Sequence, residues 1–92
     1  MLAMIIDYTV QIWQEGNQYV AHAMPLDVMS SGSTPEAART ALEEAVRLFL
    51  KTVSEIGTLE EVLEEAGYRL HEDRWISPEW VAIEKQSTAV PV

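Results

Sequence analysis

The chain has 92 residues, 48% of them hydrophobic and 23% charged, enough for one hydrophobic core and too few for two. Six Lys and Arg against 15 Asp and Glu give a net charge of −9, the wrong sign for a surface that must release counterions from nucleic-acid phosphates, so direct nucleic-acid binding is not expected. The lack of cysteine excludes disulfides, thiolate metal sites and thiol nucleophiles, and leaves His22 and His71 as the only imidazoles.

No stretch approaches the roughly 20 apolar residues of a membrane span. The apolar opening, residues 1–6, has no basic residue before it and runs straight into Asp7, so it reads as strand rather than export signal. A soluble, cytoplasmic protein is expected. From Ile6, the residues Ile6, Tyr8, Val10 and Ile12 alternate with Asp7, Thr9 and Gln11, the period of a half-buried strand. Glu15-Gly16-Asn17 tolerates left-handed backbone and Tyr19-Val20-Ala21-His22-Ala23 resumes the extended pattern, which predicts an antiparallel hairpin. Pro25 ends that strand, and Val28-Met29-Ser30-Ser31 is expected to be a third strand, broken by Gly32-Ser33.

Thr34, Pro35 and Glu36 combine an N-cap, a first-turn proline and an acid at the positive end of a helix dipole. The stripe Ala38, Ala41, Leu42, Ala45, Leu48, Phe49, Thr52, Val53 and Ile56 then predicts one packed face, with Arg39–Glu43 and Glu43–Arg47 as supporting pairs on the wet side. Gly57 suits a left-handed C-cap, and Thr58-Leu59-Glu60-Glu61 reads as a capping box opening a short helix buried through Leu59, Val62, Leu63 and Ala66. Gly67 closes it, Tyr68-Arg69-Leu70 turns extended, His71-Glu72-Asp73-Arg74 is a polar turn leading to Trp75-Ile76, and Trp80-Val81-Ala82-Ile83 reads as a closing strand. The fold class expected is α+β: three N-terminal antiparallel strands, a long helix on one face, a short helix and one or two C-terminal strands.

Candidate chemistry is sparse. Glu60, Glu61, Glu64 and Glu65 have the spacing of paired carboxylates but project opposite the apolar edge of their helix, so a solvated face is expected. Asp7 has no converging acids for a nuclease metal site, His22 needs a carboxylate or nucleophile across the hairpin before it acts as a base, and His71-Glu72-Asp73 falls short of a metal site. Gly32-Ser33-Thr34 lacks the further glycines and the lysine of a phosphate loop. No catalytic, cofactor or metal-binding residue is therefore assigned. Trp13, Trp75 and Trp80 are many for so short a chain, and core packing and partner binding stay open for each. Because a chain of this size buries only about 60–65% of its unfolded surface, a homodimer or higher oligomer is expected.

Tyr19-Val20-Ala21-His22-Ala23-Met24-Pro25-Leu26-Asp27, Gly32-Ser33-Thr34-Pro35-Glu36-Ala37-Ala38 and Ala45-Val46-Arg47-Leu48-Phe49-Leu50, in this order, resemble the HicB family of antitoxins over about residues 5–66. The resemblance implies a partial ribonuclease-H-like α+β fold without catalytic carboxylates, which binds and blocks a small basic HicA-type ribonuclease toxin. Ala37 stands where many members carry a second Glu, and no ribbon-helix-helix or helix-turn-helix domain is expected after Val92. The candidate partner-binding residues are Trp13, Trp75, Trp80, Glu60, Glu61, Glu64 and Glu65. The alternative, from a different class, is a stand-alone structural or regulatory homo-oligomer with no toxin.

Overall fold

A computed structural model of the chain describes residues 4–92, so the start of the apolar opening, at residues 1–3, lies outside the described residues. The architecture is α+β. Its elements are β1 (Ile5–Ile6), β2 (Thr9–Glu15), β3 (Gln18–Met24), β4 (Val28–Gly32), α1 (Pro35–Glu55), α2 (Leu59–Glu65), β5 (Arg69–His71) and β6 (Arg74–Ile76). One sheet has the order β2-β3-β4, antiparallel throughout, and the other has the order β1-β6-β5.

The single first strand expected from the alternation is two strands, because the chain changes partners at Asp7. Ile5 and Ile6 pair in parallel with Arg74 and Trp75, whereas Thr9 onward pairs antiparallel with β3. Asp7 is held between them from three sides: its N–H donates to the Trp75 carbonyl at 3.4 Å, its own carbonyl accepts from the Tyr68 hydroxyl at 2.6 Å, and its Oδ1 accepts from the Ser77 N–H at 2.8 Å. The alternation survives the break, since Ile6, Tyr8 and Ile12 all pack against the core. The β2–β3 hairpin closes through Gly16, whose φ of 60° lies in the left-handed region.

Thr34 caps α1 as expected, its Oγ1 accepting from the Ala37 N–H at 3.0 Å, and Gly57, at φ 80°, ends it. The face that α1 buries is narrower than the predicted stripe and displaced from it. Ala38, Leu42, Val46 and Val53 are buried, while Leu48 is 53% exposed, Ile56 66% exposed and Thr52 open to water. Ala21 and Ala23 of β3 are fully buried beneath the helix, and such small residues let it approach closely. Gly32 has the same effect at the end of β4: a Cβ there would lie 2.6 Å from the Ala38 nitrogen, so side-chain volume is excluded where strand meets helix. The expected Arg39–Glu43 and Glu43–Arg47 pairs do not form among the described residues, and Arg39 instead comes within 3.9 Å of Glu36.

The capping box of α2 is also corrected. Thr58 has ψ 9°, not the extended conformation of a cap, and its hydroxyl is turned back to donate to the Val53 carbonyl at 3.4 Å, so it makes no cap bond to α2. Leu63 is the fully buried residue of this short helix. The closing strand expected at residues 80–83 does not form. β6 takes that place, and residues 77–92 have no regular structure. Beyond Ile76 the ladder stops because the Ser77 N–H is bound to the Asp7 carboxylate and Pro78 has none to offer. Among the described residues no helix is long and apolar enough to cross a membrane.

Candidate functional site

Strand alternation and register divide the β2-β3-β4 sheet into two faces. Ile12, Ala21, Ala23 and Val28 look toward α1. The opposite face carries Gln11, His22 and Met29 in one cross-strand row and Trp13, Val20 and Ser31 in the next. Trp13, 37% exposed, stands edge-on to the His22 ring with centroids 6.3 Å apart. Trp80, 40% exposed, donates its indole N–H to Thr9 Oγ1 at 2.7 Å, which tethers the C-terminal segment beside the same face. Trp75 is different: at 3% exposure, in the middle strand of the second sheet, it belongs to the core and offers no surface to a partner.

The four glutamates lie elsewhere. Glu60, Glu61, Glu64 and Glu65 all project into water from α2, in the helix layer, and Glu60 and Glu61 border a shallow groove of about 320 Å³ shared with Ser54, Gly57 and Leu59. The structure therefore brings Trp13 and Trp80 to one region, buries Trp75, and sets the acids on a separate element.

His22 does have a carboxylate within reach, a feature that adjacent-strand reasoning missed. Its Nε2 lies 2.7 Å from Asp27 Oδ1, because the turn after Pro25 places Asp27 at φ 61° and anchors its N–H on the Ala23 carbonyl at 2.8 Å. The signal was a five-residue separation across a proline turn. The pair links the ends of β3 and β4, with Asp27 largely in solvent. Two phenols are perturbed. Burial, then the charges of Asp7 and Tyr8, pushes Tyr68 up to about 12, and burial together with Glu43 raises Tyr8. Both serve packing: Tyr68 is buried with its hydroxyl on the Asp7 carbonyl, and Tyr8 lies against the core.

His71, Glu72 and Asp73 form the exposed turn of the β5–β6 hairpin, Gly32-Ser33-Thr34 is strand end and helix cap, and Asp7 is a junction holding two strands and the C-terminal segment. Among the described residues no group of three or more acids and imidazoles is placed to hold a metal ion. Comparison of the chain with protein-family models, with curated proteins and with solved structures finds no match.

Proposed function

We propose that the chain is a HicB-like antitoxin module that binds and neutralises a small basic ribonuclease toxin of the HicA type. The reading rests on the strand-strand-strand-helix order of residues 9–55, carried on a chain of net charge −9. An acidic surface draws in a basic partner and accelerates encounter, and the partner's own active-site groups need no complementary catalyst here. The function is binding, with no reaction assigned to any residue. Glu60, Glu61, Glu64 and Glu65 supply steering charge at the rim, and Trp13 and Trp80 offer the exposed aromatic area that anchors protein interfaces.

The test is co-expression with a small basic protein encoded beside this chain's gene. Relief of its growth arrest and co-elution of the two proteins are expected. Converting the four glutamates to Gln should then slow association and flatten its dependence on salt while leaving the fold unchanged, since exposed charges act mainly on the on-rate. A neighbouring product that neither arrests growth nor binds would refute the reading.

A further inference from the structure

His22 stands in the middle row of the outer sheet face, between Gln11 of β2 and Met29 of β4, with the Trp13 ring edge-on to it. Among the described residues of β2, β3, β4 and their turns, Asp27 is the one charged group in that row or the rows on either side. The C-terminal segment reaches this face through Trp80 at Thr9, and α1 packs on the opposite face. The Asp27 carboxylate lies 2.7 Å from Nε2. A carboxylate only accepts, so Nε2 carries the hydrogen and the neutral ring keeps its lone pair on Nδ1. Nδ1 has no hydrogen-bond partner within the described residues. Since no buried side-chain nitrogen or oxygen there lacks a partner, Nδ1 is open to water, on a side chain that keeps 17% of its surface exposed.

Building on the antitoxin reading, we propose that His22 is the pH-sensitive contact of the partner-binding surface, its bare Nδ1 accepting an N–H from a lysine or arginine of the basic partner beside Trp13. A neutral ring next to the Asp27 carboxylate gives this spot one negative charge and an open acceptor, and both suit a cation. Protonation reverses both properties. Nδ1 becomes a donor, and the imidazolium cancels the charge of the carboxylate it touches. The same spot then has nothing to offer a cationic donor. Imidazole is the side chain whose charge ordinarily changes between about pH 5 and 8, so acidification releases a partner that neutral conditions hold.

Two measurements test this. In the chain alone, a long-range proton–nitrogen NMR spectrum at about pH 7.5 should show His22 protonated on Nε2 and bare on Nδ1. Asp27→Asn, whose amide can also donate, should weaken that preference, and the opposite tautomer in the wild type would overturn the proposal with no partner involved. With the small basic protein encoded beside this chain's gene as the probe, wild-type affinity by calorimetry should fall roughly fivefold or more between about pH 7.5 and about pH 5.5. His22→Gln still reaches Asp27 as a donor but gains no charge in acid, so its affinity should change far less. His71 and the partner's own groups are unaltered in that variant, so an equal fall in both forms, or a wild-type affinity that holds in acid, would overturn the proposal and leave the antitoxin reading standing. Absence of binding at about pH 7.5 by either form would refute the antitoxin reading itself, and this contact with it, whichever tautomer His22 adopts.

Discussion

Leu42 is fully buried at the centre of the contact between α1 and the β2-β3-β4 sheet, and its cluster includes Ala21, Ala23 and Ala38. Leu42→Ala removes three carbon atoms whose transfer from water contributes about 2–3 kcal/mol. Alanines have no rotamers with which to fill the space, so most of the cavity remains and brings the cost to about 3–5 kcal/mol. For a chain of this size each kcal/mol lowers the melting temperature by roughly 5 °C, which predicts a fall of about 15–25 °C. Urea unfolding followed by far-UV circular dichroism at several concentrations measures the loss directly. Leu48→Ala is the matched control: it should cost less than about 1 kcal/mol, because Leu48 is 53% exposed. Equal losses for the two variants, or a loss below about 1 kcal/mol for Leu42→Ala, would show that α1 packs through a different face.

Gly32→Ala should destabilise by about 1–3 kcal/mol in the same unfolding assay, since its Cβ would press on backbone atoms of α1, which cannot swing aside as a flexible side chain can. The stability of the wild type should also fall as pH rises from 10 towards 12. Tyr68, raised to about 12 in the folded protein, stays protonated after its unfolded counterpart has ionised, so its contribution is complete below pH 10 and disappears through pH 12. Tyr68→Phe should lower stability at neutral pH by removing the hydrogen bond to Asp7 and should reduce the alkaline slope, leaving a residual slope from Tyr8; an identical slope would refute the assignment.

The features legible in the sequence are those whose causes are local. Gly16 and Asn17 between alternating strands, Thr34-Pro35-Glu36 before an amphipathic run and Gly57 after it each satisfy a backbone requirement within a few residues. The division of the first strand was not legible, because the Tyr68 and Ser77 groups that capture Asp7 are 61 and 70 residues away. The closing strand was misplaced for the same reason. Residues 80–83 have strand composition, but partnership with β1 is taken by Arg74–Ile76 before the proline. The capping box failed on conformation, since the turn out of α1 holds Thr58 at ψ 9° and directs its hydroxyl back to the Val53 carbonyl, away from the N–H groups that open α2.

The candidate surface was readable where parity decides and unreadable where packing does. Alternation of Ile6, Tyr8 and Ile12 towards the core places Trp13 outward with Thr9 and Gln11, which is where it stands. No local pattern separates Trp75 from Trp80, because their difference comes from the parallel pairing of β6 with β1, which encloses one and leaves the other beside the sheet. The helix stripe is a third case. Periodicity detects apolar residues that need cover without stating whether one chain provides it, and Leu48 and Ile56 belong to a stripe wider than the monomer's core occupies. Leu48 shares its side of α1 with Glu44, one turn before it, and Glu55, two turns after it, so the surplus sits among exposed charges. A random surplus would leave Leu48→Glu silent in every measurement. A surplus covered by a partner would make it silent in the fold and costly in assembly, a separation that composition alone could not anticipate.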